Sequence, residues 1–201
     1  ILAVKPKDAL NAYKEIITNY KSPKIISFVA GIKSKKYLKI NKDIQFMRAM
    51  PNTSSKFNLG ITAIFNATFK EGNLKKVKKL FKNVGIVLEL DKENKIDVFT
   101  GMIGSGPAYF FYLLKSYQKK LMYLCHSDQK MVNDVMVNLI KGVGSSIEHN
   151  QDLDELIATV ASKRGTTEAG LNSFKSLKLN KSFEDGINAA IQRSKEISNE
   201  F

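Results

Sequence analysis

The chain has 201 residues, of which 43% are hydrophobic and 25% charged, so it is long enough for one large domain or two small ones with a packed core. Its formal net charge is +13, but the basic residues are almost all scattered lysines, and the only arginines are Arg48, Arg164 and Arg193. Because arginine is favoured for bidentate recognition of phosphates and bases, this composition argues against a nucleic-acid-binding protein and fits an anionic small-molecule ligand.

Cysteine and histidine are too rare for a disulfide framework or a zinc centre. The chain has one cysteine, Cys125, and two histidines, so no disulfide can form within it and no metal site is expected. Cys125 lies in an apolar run, which predicts a buried thiol in a reducing, cytoplasmic location. No signal peptide is visible, and the longest weakly charged run, residues 98–114, is interrupted by glycines and a proline, so no membrane partner is expected.

The first half of the chain alternates between strand and helix patterns. Strands are predicted at residues 1–5, 24–29, 44–50, 61–67 and 85–90, and helices at 8–20, 34–40 and 74–83, the last with Leu74, Val77, Leu80 and Phe81 facing inward. This alternation predicts an α/β domain with a mainly parallel sheet. Such sheets bind ligands at the carboxyl ends of their strands, which here are Lys5-Pro6, Ala30-Gly31 and residues 50–53.

The second half, from about residue 95, has only helical patterns. Helices are predicted at residues 96–102, 107–124, 129–148, 152–160, 166–176 and 181–198. The third of these carries a longer apolar stripe than a lone amphipathic helix needs, which fits either the core of a helix bundle or a dimer interface. The predicted fold class is therefore α/β followed by all-α, with domains at residues 1–94 and 95–201.

Glycine and proline interrupt one apolar helical run, residues 100–111, which reads T-G-M-I-G-S-G-P-A-Y-F-F. In a helix interior, glycine costs about 1 kcal/mol and proline about 3 kcal/mol relative to alanine. We therefore predict that a helix restarts at Ser105-Gly106-Pro107, because proline is tolerated in a first turn. The alternative is a kinked or tightly packed helix pair without a binding role.

A second stretch, residues 162–171, reads S-K-R-G-T-T-E-A-G-L and predicts a helix start after Gly165. Thr166 or Thr167 can cap or open this helix, and Glu168 suits its first turn. The amides at such a start are a ready site for a carboxylate or phosphate. Taken alone, the pattern is explained more simply by an ordinary capped helix.

Five motifs occur in a fixed order over nearly the whole chain. They are Ala3-Val4-Lys5-Pro6, Ser27 to Ile32 (S-F-V-A-G-I), Arg48 to Thr53 (R-A-M-P-N-T), Gly104 to Tyr109 (G-S-G-P-A-Y) and Gly165-Thr166-Thr167. In this set the chain resembles the pyrroline-5-carboxylate reductase family. The resemblance implies an incomplete Rossmann-like dinucleotide-binding domain, then a helical substrate-binding domain through which homodimers or larger homo-oligomers form. It also implies NADPH- or NADH-dependent reduction of 1-pyrroline-5-carboxylate to L-proline, the last step of proline biosynthesis.

The resemblance also assigns site residues. The cofactor cleft would be lined by Ala3, Val4, Lys5, Pro6, Ala30, Gly31, Pro51, Asn52 and Thr53. The substrate pocket would be lined by Ser105, Gly106, Pro107, Ser162, Gly165, Thr166 and Thr167. Thr167 would place its hydroxyl at the ring nitrogen and assist protonation there. The structural alternatives are a solvated lysine at a strand end for Lys5 and a turn with a cap for Asn52-Thr53.

Two features depart from the family pattern. The family's substrate loop usually reads S-P-G-G-T-T, whereas here Lys163 and Arg164 replace a proline and a glycine. If that glycine needs a positive φ, Arg164 is strained by about 1–3 kcal/mol; the added charge otherwise attracts the substrate carboxylate or signals a changed substrate. In addition, Ile1 begins in a strand pattern and no G-x-G-x-x-G loop is present. We therefore expect that a preceding segment carries the pyrophosphate cradle and that this chain alone has little activity.

Two other functions remain open on the sequence alone. One is a related imine or keto-acid reductase of the same architecture, in which Lys163 and Arg164 retune the pocket. The other is a non-catalytic dimeric fragment. The sequence does not distinguish NADPH from NADH, because that preference is commonly determined after the second strand of a complete dinucleotide-binding fold.

Overall fold

A computed structural model describes residues 1–200 as two compact units. One unit comprises Ile1–Pro107 together with the chain from Gly186 onward, and the other comprises Ala108–Asp185. The order of elements is the predicted one, α/β followed by helices, so the fold class is confirmed. The functional domains assigned to residues 1–94 and 95–201 stay a prediction.

The first unit is built on a four-stranded sheet with strand order β1-β2-β3-β4. The strands are β1 (Lys24–Ser27), β2 (Gln45–Pro51), β3 (Gly60–Asn66) and β4 (Gly85–Glu89). The β1–β2 and β3–β4 pairs are parallel, whereas β2 and β3 are antiparallel. The antiparallel pair follows from its short connection, a 3-10 turn at Thr53–Phe57, because parallel neighbours need a longer crossover.

The strand predicted at residues 1–5 is wrong beyond Leu2. Leu2 forms a single parallel bridge to Ser27, in which its N–H donates to the carbonyl of Ile26 at 2.8 Å. The chain then turns directly into helix α1 (Pro6–Asn19). Pro6 favours this early helix start, because its fixed φ suits the first turn and it lacks the N–H that a longer strand pairing would use.

Helices pack on both faces of the sheet because successive strand residues point to opposite faces. The helices of this part are α1, α2 (Ser34–Leu38), α3 (Glu71–Lys82) and α4 (Lys95–Phe99). Ile25 and Phe46 belong to a core cluster with α1 and α2, whereas the adjacent Ile26 and Met47 belong to a cluster with Phe81 of α3.

Helix α3 differs from its prediction at one position. The sequence pattern placed Leu80 on the inward face, but its side chain is 54% exposed. Phe81 is buried, and Leu74 and Val77 pack against the same core cluster. Phe81 therefore sets the buried face of α3, and Leu80 lies at the edge of that face.

Three aromatic rings form the centre of the first core cluster. Tyr13 and Tyr37 have ring centroids 5.1 Å apart, and Phe46 stacks on Tyr37 at 4.6 Å. Among the described residues, the buried hydroxyl of Tyr13 has no hydrogen-bond partner. Burial raises the pKa of Tyr13, and the nearby Tyr37 raises it further. The Tyr13 ring therefore contributes packing, while its hydroxyl is desolvated without compensation.

The helical part begins with a change of helix type. Helix α4 ends at Phe99 and continues as a π turn at Thr100–Gly104, in which the Ser105 N–H donates to the Thr100 carbonyl at 2.9 Å. The following helices are α5 (Gly106–Leu124), α6 (Gln129–His149), α7 (Leu153–Val160), α8 (Thr166–Ser176) and α9 (Leu179–Glu200). The predicted helix restart at Ser105-Gly106-Pro107 is confirmed, because α5 begins at Gly106.

The second unit has a small core of its own. Leu121, Cys125 and Val132 are buried at the α5–α6 turn, and Met122, Val135 and Met136 pack against them. The buried position of the Cys125 thiol confirms the prediction made from its apolar run. Across residues 1–200, none of the helices combines the length and apolar character that crossing a bilayer requires.

Replacing Tyr13 with phenylalanine should leave the protein as stable as the wild type, or more stable, at pH 8. The change removes an unpaired buried hydroxyl, whose desolvation costs about 1–3 kcal/mol. The advantage of the variant should grow above pH 10. In the unfolded protein the Tyr13 hydroxyl ionises in this pH range, whereas its raised pKa keeps it neutral in the native protein. The free energy of unfolding of the wild type therefore falls as the pH rises.

Urea unfolding midpoints at pH 8 and pH 10.5 measure both effects. Tyr20→Phe is the control, because Tyr20 is 66% exposed and should show neither effect. A Tyr13→Phe variant that is clearly less stable than wild type at pH 8 would contradict this account of the hydroxyl.

Candidate functional site

Three segments of the first unit end at the same edge of the sheet. Leu2 pairs in parallel with β1, and β1 pairs in parallel with β2. The residues that follow these segments therefore lie at one carboxyl edge, which is where open α/β sheets bind ligands. The structure places all the predicted cofactor-binding residues here: Ala3, Val4, Lys5, Pro6, Ala30, Gly31, Pro51, Asn52 and Thr53.

The residues after the first two segments differ in exposure. Ala3, Val4, Lys5 and Ala30 are exposed, whereas Gly31 is buried. Gly31 has a φ of +77°, and a Cβ there would lie 2.9 Å from Cγ2 of Ile197 and 3.1 Å from its carbonyl oxygen. Only glycine fits this backbone conformation and this contact without strain.

Asn52 has a structural role of its own at this edge. Its Oδ1 accepts from the Ile61 N–H at 3.0 Å, and its backbone N–H donates to the Ile61 carbonyl at 3.1 Å. Thr53 is exposed and opens the 3-10 turn. A turn was the alternative explanation of Asn52-Thr53 in the sequence, and this turn is present. It leaves the Thr53 side chain exposed to solvent at the carboxyl edge.

A buried ion pair beside this edge was missed in the sequence. Arg48 lies in β2 with its side chain only 3% exposed, and its Nη1 is 3.2 Å from Oε1 of Glu93. Glu93 also accepts from the N–H of Ser34 at 2.6 Å and from its hydroxyl at 2.8 Å. A charged residue between the apolar residues of a buried strand was the available signal, because such a residue is rarely buried without a partner.

A second buried carboxylate fixes the end of α9. Asp97 of α4 is 5% exposed and accepts from the hydroxyl of Ser198 at 2.6 Å and from that of Ser194 at 3.2 Å. These bonds lie next to Ile197, which contacts Gly31. The last helix of the chain thus contributes to the carboxyl edge of the first unit.

The glycine-rich stretch has two different kinds of glycine. A Cβ on Gly101 would lie 2.6 Å from the backbone nitrogen of Ile191, so close helix packing requires this glycine. A Cβ on Gly106 would meet no atom of the described residues within 4 Å. Packing against a Cβ therefore does not explain the glycine at position 106.

The predicted substrate loop, Ser162 to Thr167, forms a tight turn before α8. The Gly165 N–H donates to the Ser162 carbonyl at 2.9 Å, and a Cβ on Gly165 would collide with Oγ of Ser162. Gly165 is the N-cap, Thr166 opens the helix, and the N-cap makes no side-chain bond. Arg164 has a φ of +60°, so the condition under which the sequence predicts strain at this position is met.

The charges around this helix start have opposite signs. Lys163 and Arg164 are exposed, and the Glu168 carboxylate accepts from the Arg164 N–H at 2.6 Å. Among the described residues, the N–H groups of Thr166 and Thr167 have no hydrogen-bond partner. The start of this 11-residue helix therefore offers two free amides and two hydroxyls, a donor set suited to a carboxylate.

Comparison with known proteins gives a consistent result. A family model described as pyrroline-5-carboxylate reductase dimerisation matches residues 93–197. Pyrroline-5-carboxylate reductase 1 of Bacillus subtilis is 33% identical over 203 residues, which cover 98% of this chain and 67% of that protein. Pyrroline-5-carboxylate reductase of Staphylococcus epidermidis is 32% identical over 204 residues, which cover 98% of this chain and 73% of that protein.

Solved structures of pyrroline carboxylate reductases also superimpose on this chain. A pyrroline-5-carboxylate reductase from Coxiella burnetii superimposes with a TM-score of 0.85 at 27% identity, covering 98% of this chain and 74% of that one. Plasmodium falciparum pyrroline carboxylate reductase with NADP bound superimposes with a TM-score of 0.88, covering 98% of this chain and 79% of that one. At 24% identity, the second likeness shows a shared fold.

Arg164→Gly should raise the stability of the protein by up to about 1 kcal/mol. It removes the cost of a left-handed conformation, about 1–2 kcal/mol, and adds the smaller entropic cost of a glycine in the unfolded chain. Lys163→Gly is the matched control, since Lys163 has no positive φ and that change should only destabilise. Thermal unfolding ranks the two variants. An Arg164→Gly protein less stable than Lys163→Gly would show that Arg164 is not strained.

Proposed function

Since the chain belongs to the pyrroline-5-carboxylate reductase family, we propose that it reduces 1-pyrroline-5-carboxylate to L-proline, the last step of proline biosynthesis, with NADPH or NADH. The observation that carries this proposal is the 33% identity to a pyrroline-5-carboxylate reductase over 98% of the chain. The family match over residues 93–197 covers the helical part as well. A keto-acid reductase or a non-catalytic fragment is not favoured by either finding.

The residues at the carboxyl edge fit a dinucleotide. Ala3 and Ala30 are small and exposed, so a ligand can approach the backbone closely there, and Gly31 gives the loop its positive φ. Lys5 and Thr53 offer an exposed ammonium and an exposed hydroxyl. Together with Val4, Pro6, Pro51 and Asn52, these residues would hold the cofactor. When bound, the nicotinamide supplies the hydride that the ring C=N bond of the substrate receives.

The start of α8 would bind the substrate carboxylate. The free amides of Thr166 and Thr167 point to this role, because a helix N-terminus carries partial positive charge and unpaired donors. The nearby Lys163 and Arg164 add two positive charges, which outweigh the single negative charge of Glu168. Ser162 and Gly165 would complete the loop, and Ser105, Gly106 and Pro107 are the remaining candidate substrate-binding residues.

Thr167 would act on the ring nitrogen. Its side chain is half-buried at the second position of α8, which limits its rotamers more than those of an exposed threonine. A hydroxyl held there would donate a hydrogen bond to the nitrogen and assist its protonation as the carbon accepts hydride. The chemistry needs no metal, because positioning of two aligned reactants alone can lower a barrier by about 7–11 kcal/mol.

Thr167→Ala should lower kcat about a hundredfold with little change in melting temperature, because it removes a proton donor and no core packing. Thr167→Ser should recover most of the activity, since it retains the hydroxyl. Thr18→Ala is the control, because the exposed Thr18 hydroxyl bonds only its own helix, to the Lys14 carbonyl. Steady-state rates of pyrroline-dependent NADPH and NADH oxidation by the complete protein measure kcat for each variant. Unchanged turnover in Thr167→Ala would remove this residue from the mechanism.

The match to a dimerisation family indicates a homodimer or larger homo-oligomer. We propose that the interface is formed by the second unit, which exposes large apolar side chains on three helices. They include Phe111 and Tyr123 of α5, Ile140, Val143 and Ile147 of α6, and Leu153, Ile157 and Val160 of α7. Soluble monomers rarely expose so many apolar side chains on adjacent elements. The long apolar stripe predicted on α6 is thus buried near Val132 and exposed further along the helix.

Val143→Asp should weaken or abolish the oligomer. Val143 is 51% exposed and lies in an apolar groove with Ile147 and Ile157, where a carboxylate would be desolvated by a partner subunit. Lys141→Glu is the control, since Lys141 is exposed on the opposite face of α6. Sedimentation velocity at several concentrations measures the outcome. An unchanged oligomer in Val143→Asp would place the interface elsewhere.

A further inference from the structure

The loop between β1 and α2, residues 28–33, is held near both ends by the Arg48–Glu93 ion pair, which contacts Val29 in the loop and Ser34 at the start of α2. Nη2 of Arg48 donates to the Val29 carbonyl at 3.4 Å. Glu93 accepts from the N–H and the hydroxyl of Ser34, at 2.6 and 2.8 Å. Because the two side chains also pair with each other at 3.2 Å, the two ends of the loop are tied to one another through a single buried contact.

The middle of the same loop is held by a third contact. Ile197 of α9 packs against Gly31, and the adjacent Ser198 is fixed by its bond to the buried Asp97. Ala30 is left exposed between these supports. The loop therefore has a defined backbone shape although it contains no helix or strand.

Stability alone does not explain a buried ion pair at this place. The desolvation of two buried charges offsets much of their attraction, and apolar pairs of similar size are often as stable or more so. An apolar pair would be unable to bond a backbone carbonyl at one end of a loop and a backbone amide at the other. The distinctive contribution of Arg48 and Glu93 is the fixed position of these two backbone groups.

We infer that Arg48 and Glu93 are positioning residues for the nicotinamide cofactor, which act by holding Ala30 and Gly31 in the shape that binds it. This inference rests on the proposed function, in which Ala30 and Gly31 line the cofactor cleft. The Arg48 side chain is buried, with 3% exposed, and the Glu93 side chain is partly buried, with 18% exposed. They act on the cofactor through the backbone of the loop.

Two variants separate positioning from a merely structural role. Glu93→Gln keeps the size of the side chain but loses the charge and one acceptor for Ser34. The double variant Arg48→Met with Glu93→Leu replaces the pair with apolar residues, which should restore stability but not the bonds to Val29 and Ser34. Glu89→Gln is the control, because Glu89 pairs with Lys78 at the surface, with its side chain 42% exposed.

Three readouts are taken on the complete protein. They are the Kd for NADPH and NADH by fluorescence titration, the melting temperature, and amide hydrogen exchange of the peptide that contains residues 29–34, without cofactor. We expect both variants to bind the preferred cofactor about tenfold more weakly, because a small misplacement of binding groups has effects of at least this size. Their loop amides should exchange faster, while the KM for the pyrroline and the melting temperature of the double variant stay near wild type.

Two results would overturn the inference while leaving the proposed function intact. If the double variant recovers wild-type stability and also wild-type cofactor affinity, the pair has only a structural role. If Glu93→Gln folds and binds the cofactor as tightly as Glu89→Gln, the cofactor-binding shape of the loop does not depend on the negative charge of Glu93. A wild-type protein that binds neither NADPH nor NADH would overturn both this inference and the proposed function, whereas normal binding by wild type and variants alike would overturn the inference alone.

Discussion

The buried contact between Arg48 and Glu93 joins parts of the first unit that are far apart in sequence. Arg48 lies inside the sheet, opposite Ser27 in the parallel pairing of β1 and β2. Glu93 lies just before α4 and reaches the start of α2 through Ser34. A guanidinium and a carboxylate buried together must satisfy their remaining donors and acceptors locally, because an unpaired buried charge is very costly. In this protein they do so with the backbone of the loop after β1, so the requirement to satisfy two charges also shapes the carboxyl edge.

The second constraint is the direction of the chain segments at that edge. Parallel pairing brings the ends of the Leu2 segment, β1 and β2 to one side of the sheet, and a ligand there meets three loops at once. The start of α8 provides a different environment, with free amides next to two exposed basic side chains. The first suits a dinucleotide and the second a small carboxylate, which are the two partners that the reduction of a pyrroline carboxylate requires.

The sequence predicted elements well where local signals agree. The bounds of α8 match the predicted 166–176, because Gly165 supplies the turn and Glu168 suits the first turn. Periodic patterns fail where the length of a connection, a single residue or a distant contact determines the structure. The short β2–β3 connection makes that pair antiparallel, Pro6 ends the first strand early, and the π turn at residues 100–104 replaces the end of a predicted helix. The Arg48–Glu93 contact spans 45 positions, and no periodicity in the sequence connects its two ends. The roles of the site residues are likewise predictions from the motifs.

The most direct test of the account is the fate of the hydride. The complete protein is incubated with 1-pyrroline-5-carboxylate and NADPH, or NADH, that carries deuterium at both C4 positions, and the product is analysed by mass spectrometry and NMR. The account predicts L-proline with one deuterium at ring carbon 5, the carbon of the former C=N bond. Cofactor oxidation without labelled proline, or no reaction with either cofactor while another imine or keto acid is reduced, would contradict it.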